Sequence, residues 1–231
     1  MIKSEGNSSV KPIGLNKKGI EIQLSDVIND AIIYFKCTID GEGVGEKLHV
    51  FDILSHNGKD LTNISVVDRL KVLDSLHFGT AIEVVKTAYT REEKQKMFEE
   101  IKNNGKEGIV FKKKSSPYTA GRPNSGGNQF KFKLQKTGTF LVSNHTKGKR
   151  SVGLQMINEN GEKIFLGKVT IPPNKPIPNV GDFIEVQYLY AFKAEGGCVF
   201  QPVFLKNRSD ECDESDISIS QLVYKVSQED E

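Results

Sequence analysis

The sequence lacks the features of a protein that is stabilised by disulfides or zinc, or bound to a membrane. Its cysteines, Cys37, Cys198 and Cys212, are odd in number and far apart, which argues against a disulfide framework or a zinc site. No apolar run approaches the length that crosses a bilayer, and the polar N-terminus lacks the apolar core of a signal peptide. The four histidines form no cluster, and there is no internal repeat. These absences predict a soluble, cytoplasmic protein with no membrane partner.

Net charge is also nearly absent, at +2 over 231 residues, but the charges are segregated. Residues 102–150 contain twelve Lys or Arg and one acid, Glu107, whereas residues 209–231 contain eight acids and one lysine. A basic segment of this kind suits the phosphates of a nucleic acid. The lone carboxylate in a cationic surround is a candidate for binding a ligand or a metal. The alternative interpretation is a solvated basic face.

The most informative pattern lies in residues 107–137, EGIVFKKKSSPYTAGRPNSGGNQFKFKLQKT. Glu107 begins an apolar strand, and Lys131 and Lys133 alternate with phenylalanines on a second strand. Because side chains alternate across a strand, both lysines fall on one face. Two like charges on one face need a shared anionic partner, and a nucleotide phosphate fits.

The predicted secondary structure divides the chain into two regions. Up to residue 135, helices and strands mix, and Thr90 followed by Glu93 predicts a capping box at the start of one helix, which indicates an α+β domain. From residue 136 to residue 226 the pattern is of five strands joined by turn-rich loops. This pattern favours a small closed OB-fold barrel over a β-sandwich, because five strands are few for a sandwich. Residues 227–231 are predicted to be a disordered tail.

Six segments resemble motifs of the ATP-dependent DNA ligases, in the covalent nucleotidyltransferase superfamily. EGIVFKK is similar to motif IV, FKFKLQKT to motif V and QPVFLKNRSDE to motif VI. Upstream, TIDGEG resembles motif III, LHVFDIL the adjoining aromatic motif and NKKGIEI the segment after the nucleophile. The order of six segments is stronger than any single motif. The resemblance implies a nucleotidyltransferase (ligase adenylation) domain over residues 1–135 and an OB-fold domain over residues 136–226, as in small phage or bacterial ligases.

The activity that the resemblance implies is nick sealing in three steps. A lysine takes AMP from ATP, AMP passes to the 5′-phosphate at a nick, and the 3′-hydroxyl displaces AMP. The implied cofactors are ATP and Mg²⁺, the implied partner is nicked duplex DNA, and the implied roles are DNA replication, repair and recombination by a monomer. The alternatives are an RNA ligase, a capping-type nucleotidyltransferase, or a non-catalytic binder of nicked or duplex DNA.

The resemblance also implies roles for single residues. It implies that Lys131 and Lys133 bind the α-phosphate and that Phe51 lies against adenine. It also implies that Glu42 and Glu107 bind the metal, with Glu42 near the ribose as well. These ATP-binding candidates are Lys17, Glu42, Phe51, Glu107, Lys131 and Lys133, of which Glu42 and Glu107 are the metal candidates.

Motif VI and the basic segment supply the remaining candidates. The resemblance places Arg208 at the leaving pyrophosphate, with Asp210 beside it in the motif. The DNA-binding candidates are Lys112, Lys113, Lys114 and Arg122. Outside the motifs, Asp68 and Arg69 are interpreted as a solvated helix face.

The nucleophile departs from the family pattern, which reads Lys-x-Asp-Gly-x-Arg in motif I. The candidate here is KSEGNS, with Lys3 as the catalytic nucleophile, Glu5 in place of aspartate and Ser8 in place of arginine. A terminal lysine has no preceding strand to bury and desolvate it. In the alternative interpretation SEGNS is the turn of a hairpin, motif I is missing, and the adenylation domain is incomplete at its N-terminus.

Overall fold

The computed structural model describes residues 1–121, 127–193 and 197–225. They fall into two compact units. The first unit consists of Met1–Lys94 and Val110–Lys131, and the second of Gln95–Ile109 and Phe132–Glu231. The domain boundary at residue 135 stays a prediction, and the predicted tail lies outside the described residues. Within the described ranges, no helix has the length and apolar character needed to cross a membrane.

The first unit is built on a mixed sheet of seven strands. These are β1 (Ile2–Glu5), β2 (Ile13–Leu15), β3 (Glu21–Ile22), β4 (Lys36–Val44), β5 (Lys47–His56), β6 (Lys59–Asp60) and β7 (Ile82–Val84). Six strands follow the order β3-β2-β1-β4-β5-β6 with antiparallel neighbours, and β7 pairs in parallel with β5. The pairing of β1 with β2 forms a hairpin, as in the alternative N-terminal interpretation. Ser4 and Glu5 of SEGNS lie in β1, however, and the loop extends to residue 12.

The structure has three α-helices in the described residues: α1 (Asp26–Ile32), α2 (Val66–Asp74) and α3 (Arg91–Asn103), of which α3 begins where the sequence predicts it. Ser65 caps α2, since its hydroxyl accepts from the Asp68 backbone N–H. The capping box at α3 is confirmed: the Glu93 N–H donates to Thr90 Oγ1 at 3.2 Å, and the Thr90 N–H donates to Glu93 Oε2 at 3.0 Å. Together with the sheet, these helices confirm the α+β class for this part of the chain.

Alternation along the central strands separates a core face from an outer face. Cys37 and Ile39 of β4 are buried with Val50 and Ile53 of β5 in the apolar core. Burial raises the pKa of the Cys37 thiol to about 12. Thr38, Asp40 and Glu42 alternate with these core residues and therefore lie on the outer face of β4.

The two strands that carry the lysine and glutamate motifs form a small sheet of their own. β8 (Gly108–Lys112) pairs with β9 (Gln129–Lys133), as the alternation predicted. The DNA-binding candidate Arg122 lies in the connection between them, outside the described residues.

The second unit contains the five predicted strands. They are β10 (Lys136–His145), β11 (Ser151–Ile157), β12 (Lys163–Thr170), β13 (Phe183–Tyr188) and β14 (Val203–Asn207), antiparallel in the order β12-β11-β10-β13-β14. One face of the sheet buries an apolar core that includes Phe140, Leu154, Met156, Ile184 and Tyr188.

The predicted closure of this sheet into a barrel is wrong for the part of the chain described. The edge strands β12 and β14 do not pair there, and a single backbone hydrogen bond, from the Val199 N–H to Leu166 O at 3.1 Å, joins β12 to the segment before β14. The chain after β12 is rich in proline, which cannot donate to a strand ladder. From that segment the Lys175 side chain, rather than a strand, reaches the Leu205 carbonyl. Over the same described residues the strands form one five-stranded sheet, so the alternative of a two-sheet sandwich is not observed there either.

Candidate functional site

The first unit contains a buried ion pair, between Arg69 and Asp52, that sequence reasoning missed. Arg69 Nε donates to Asp52 Oδ1 at 2.7 Å and Nη2 to Oδ2 at 3.0 Å, and the two residues are 2% and 3% exposed. The third nitrogen, Nη1, donates to the Ile64 carbonyl at 2.7 Å. The planar guanidinium fork matches a carboxylate in this two-bond arrangement. A solvated helix face is therefore wrong for Arg69, although Asp68 is exposed as predicted.

Helical spacing contained the signal that would have placed Arg69 correctly. Val66, Leu70 and Leu73 are the buried apolar residues of α2. Arg69 stands three residues after Val66 and four before Leu73, so it shares their face. A charged residue on the apolar face of a helix needs a buried partner, which Asp52 supplies.

Lys112 extends this pair toward the aromatic candidate Phe51. Its Nζ lies 3.2 Å from Asp52 Oδ2, donates to the Phe51 carbonyl at 3.0 Å, and stands 5.3 Å from the centroid of the Phe51 ring. Phe51 is 37% exposed on β5, so its ring is open to a ligand while its backbone is held. The predicted DNA contacts therefore separate: Lys112 is engaged within the fold, whereas Lys113 and Lys114 are exposed.

A second polar contact on the outer face involves Tyr118, which the sequence did not single out. Its hydroxyl donates to Asp40 Oδ2 at 3.0 Å, and the Arg69 guanidinium carbon lies 5.9 Å from its ring centroid. Burial, followed by the Asp40 charge, raises the pKa of the Tyr118 phenol to about 12. Asp40 is the aspartate of the TIDGEG segment, so this contact anchors the strand that carries Glu42.

Glu42 itself is exposed near the end of β4, opposite His49 of β5. Between it and Asp40 stands Gly41, where a Cβ would lie 2.6 Å from the His49 carbonyl oxygen. The glycine lets two backbones approach and leaves the Glu42 carboxylate on the outer face.

The two N-terminal candidates are both exposed. Lys3 lies on β1 opposite Thr38, with its Nζ 2.9 Å from Glu5 Oε1. Lys17 lies in the turn between β2 and β3, which is closed by the Asn16 N–H donating to the Ile20 carbonyl at 2.9 Å. Neither lysine has a buried surrounding of the kind that desolvates an amine.

In the second unit, the motif carboxylate and one motif lysine form an ion pair. Lys133 Nζ lies 2.8 Å from Glu107 Oε1 and donates to Gln201 Oε1 at 2.9 Å. The Leu134 N–H donates to the Glu107 carbonyl at 3.0 Å, which fixes the backbone beside the pair. The side chains are 28% and 54% exposed for Lys133 and Glu107, so a ligand can reach them.

A glycine permits the close approach of the two strands at this pair. Gly108 has a φ of +154°, and a Cβ there would lie 2.0 Å from the Phe132 carbonyl oxygen. That distance is far below van der Waals contact, so only glycine fits between Glu107 and the apolar strand that follows it.

The charges of Glu107 and Lys133 both act on the Tyr190 phenol. Burial and the Glu107 charge raise the pKa of the Tyr190 phenol above its ordinary value, while Lys133 acts in the opposite direction. Lys131 is exposed on β9.

The motif VI candidates lie in the turn after β14. Arg208 Nη1 donates to Thr139 Oγ1 at 3.0 Å, and its Nε lies 3.3 Å from Glu211 Oε2. Lys206 also pairs with Glu211, and the hydrogen bonds from these two cations lower the pKa of the Glu211 carboxyl. Asp210 is exposed, and its carboxylate makes no hydrogen bond or ion pair with the other described residues.

No group of three or more His, Cys, Asp and Glu side chains within the described ranges could hold a metal ion. The metal candidates Glu42 and Glu107 are instead single exposed carboxylates. Mg²⁺ is commonly held by one or two carboxylates together with waters and substrate phosphates. Such a donor set fits a metal that arrives with a nucleotide.

Comparison with known proteins finds similarity to DNA ligases. Residues 36–133 match the family model of the ATP dependent DNA ligase domain. Proteins described as probable DNA ligases from Dictyoglomus turgidum and Dictyoglomus thermophilum are 40% identical over 78 residues and 38% identical over 81 residues. The alignments cover 32% and 34% of this chain but only 13% and 14% of those proteins.

A solved structure from a structure-function analysis of Lig E DNA ligases, on DNA binding with a minimal scaffold, is similar over most of its length. The match covers 90% of this chain and 91% of that chain, with a TM-score of 0.62 and 18% identity. The chain therefore has the fold of a DNA ligase. The match of residues 36–133 to the ATP dependent DNA ligase domain model agrees with the resemblance found in the motifs.

Proposed function

We propose that this chain is an ATP-dependent DNA ligase that seals nicks in duplex DNA through lysine-AMP and DNA-adenylate intermediates, acting as a monomer in DNA replication, repair and recombination. The observation that carries the proposal is the ion pair of Glu107 and Lys133 on the motif IV and motif V strands. Both residues lie within the segment that matches the DNA ligase domain.

The chemistry proposed for the lysines is electrostatic. Phosphoryl transfer develops negative charge on oxygen, and preorganised cations lower its energy. An ammonium has three N–H donors, and the Lys133 contacts with Glu107 and Gln201 engage two of them. The third donor is then available to an α-phosphate oxygen, and Lys131 supplies a second positive charge from the same strand.

The nucleoside is proposed to bind at the outer face of the first unit. The exposed Phe51 ring offers a stacking surface for adenine, and Lys112 holds the Phe51 backbone in place. Glu42, exposed on the neighbouring strand, accepts hydrogen bonds from a ribose hydroxyl. The Arg69–Asp52 pair holds the residue that follows Phe51 on β5.

Magnesium is proposed to accompany the nucleotide, held by Glu42 or Glu107 and by phosphate oxygens. When bound, it neutralises charge on the polyphosphate. Lys17 is proposed to lie near the ribose. Arg208, with Asp210 beside it, is proposed to stabilise the departing pyrophosphate.

The surroundings of Lys3 bear on the nucleophile of this function. Lys3 is exposed and ion-paired with Glu5, whereas a nucleophilic lysine needs a desolvated or cationic surrounding. This observation favours a second candidate function, binding of nicked or duplex DNA without adenylation.

Incubation with ATP and Mg²⁺ followed by intact-mass measurement tests the proposal. A gain of one AMP, mapped to a lysine by peptide analysis, is the expected result, and a matched Lys3→Ala variant shows whether that lysine is the nucleophile. Sealing of nicks with all-DNA or RNA-containing strands then separates a DNA ligase from an RNA ligase. Duplex binding with no AMP transfer would leave the second candidate in its place.

A further inference from the structure

Gln201 adopts a backbone conformation that its residue type disfavours. Its φ is +53°, and within the described residues the other non-glycine residue with positive φ is Asn57, at +50°. Asparagine tolerates this region and precedes a glycine in a tight turn, whereas a glutamine there is uncommon. The proline at position 202 restricts the backbone of Gln201 further. Such strain persists where the surroundings fix it, and it concentrates at functional sites.

The surroundings that fix Gln201 are an aromatic anchor on one side and Lys133 on the other. The preceding residue, Phe200, stacks on Tyr190 with centroids 5.0 Å apart, and its N–H donates to the Tyr190 carbonyl at 2.8 Å. From this anchored position the Gln201 amide oxygen accepts a hydrogen bond from Lys133 Nζ at 2.9 Å. The same ammonium lies 2.8 Å from Glu107.

We infer that Gln201 is a positioning residue that aims the third N–H of Lys133 at the α-phosphate of a nucleoside triphosphate. This inference rests on the proposed function. Two acceptors, Glu107 and Gln201, fix the direction of a freely rotating ammonium group. The neutral amide orients the cation without adding a second negative charge, which a carboxylate would add and which would repel the incoming phosphate.

The test pairs Gln201→Gly with Asn57→Gly. Both substitutions place glycine at a positive φ and so relieve backbone strain, but only the first removes a contact with Lys133. Binding of ATP, measured by calorimetry on the full chain, should weaken about tenfold to 10²-fold in Gln201→Gly, as the loss of one hydrogen bond to a charged group implies. Thermal unfolding should occur at the same or a higher temperature. Asn57→Gly should bind ATP as the natural chain does.

Two further variants separate positioning from a structural role. Gln201→Glu keeps the reach of the side chain but adds a charge, so it should weaken ATP binding more than Gln201→Gly does. In a Lys133→Ala background, Gln201→Gly should cause no additional loss, because the ammonium that it orients is gone. Additive losses in this double-mutant cycle would show that Gln201 acts through the fold, and the inference would be overturned.

Amine labelling without nucleotide tests the contact separately from the proposed function. Acetylation of Lys133, read by mass spectrometry against Lys131 in the same chain, should speed up several-fold in Gln201→Gly and stay unchanged in Asn57→Gly. Unchanged labelling together with unchanged ATP affinity would overturn the inference and leave the proposed function intact. Failure of the natural chain to bind ATP, with no effect of Lys133→Ala, would overturn both.

Discussion

Arg69 and Asp52 meet inside the first unit in a two-bond ion pair, with N–O distances of 2.7 Å and 3.0 Å and almost no exposure. Replacing Arg69 with alanine should lower the free energy of unfolding by about 3–5 kcal/mol, because the buried Asp52 carboxylate would keep Lys112 as its one cationic partner among the described residues. Denaturant unfolding measures the change. Lys71→Ala, on the exposed side of the same helix, is the control and should change stability by less than about 0.5 kcal/mol. Equal effects of the two substitutions would contradict the pair's importance.

Lys133→Ala should reduce the rate of AMP transfer by about 10²- to 10³-fold, the usual cost of one lost electrostatic contact in a transition state. Lys131→Ala should also reduce it, while both variants keep the unfolding temperature of the natural chain. Single-turnover formation of protein-AMP measures the effect, and the exposed Lys149→Ala is the control. Near-normal AMP transfer in both lysine variants would refute their phosphate role.

Glu107→Ala removes the carboxylate partner of Lys133 and one proposed metal contact. We expect the Mg²⁺ concentration needed for half-maximal AMP transfer to rise, because one oxygen ligand is lost. Titration of Mg²⁺ at saturating ATP measures it. If the Mg²⁺ requirement is unchanged, Glu107 does not bind the metal and serves only to orient Lys133.

The exposed lysines at the end of β8 should bind DNA phosphates. Replacing Lys113 and Lys114 together with alanine should reduce the slope of log affinity against log salt by about 2, since each phosphate contact releases roughly one counterion. Fluorescence anisotropy with nicked duplex at several salt concentrations measures the slope. Lys112→Ala should instead lower the free energy of unfolding, because Lys112 is engaged with Asp52. If Lys112→Ala reduced the salt slope as much as the double replacement of Lys113 and Lys114, the proposal that Lys112 is structural while the other two bind DNA would be contradicted.

Tyr118 should make stability fall at alkaline pH. Its pKa is about 12 in the folded chain, against an ordinary value of 10.0. Between these values the unfolded state has lost the phenolic proton while the folded state keeps it, so the free energy of unfolding decreases as pH rises. Denaturant unfolding from pH 9 upward, compared with Tyr118→Phe, measures the contribution, with a shallower decline expected in the variant. Parallel curves would place Tyr118 in an ordinary environment.

The thiol of Cys37 should resist alkylation in the folded chain. It is 2% exposed, and burial raises its pKa to about 12, so little thiolate forms at neutral pH. Cys198 and Cys212 are more exposed and serve as internal controls. Mass spectrometry after timed treatment with iodoacetamide should show modification at these two first, and at Cys37 only as the chain unfolds.

Local patterns predicted most of the elements of this fold. Period-two alternation identified the strands of the motif segments and the five strands of the second unit, and Thr90 with Glu93 identified the start of α3. The closed barrel was wrong because closure depends on pairing between strands distant in sequence, which the pattern of each strand does not contain. The prolines after β12 can be read from the sequence. That this segment forms no strand pairing with the edge of the sheet could not be predicted from it.

The candidate site was predictable as residue types but not as contacts. The motifs named Glu107 and Lys133, yet the pairing of Lys133 with Gln201 joins residues 68 positions apart in sequence. The prediction of a solvated position for Arg69 was wrong because it rested on the charge of the side chain. The helical spacing, which puts Arg69 on the apolar face of α2, was not considered. Tyr118 carried no motif at all, and only tertiary structure brings it to Asp40.

Gly108 restricts how this chain can vary. A side chain at that position would collide with the carbonyl oxygen of Phe132, so the conflict is with backbone and no rotamer relieves it. In a saturation library, we expect every substitution at this codon to be depleted, alanine included, while neighbouring codons accept conservative changes. Sequences that keep this site should therefore keep glycine at position 108. A second substitution elsewhere would not remove the clash, because the clash is with a backbone oxygen.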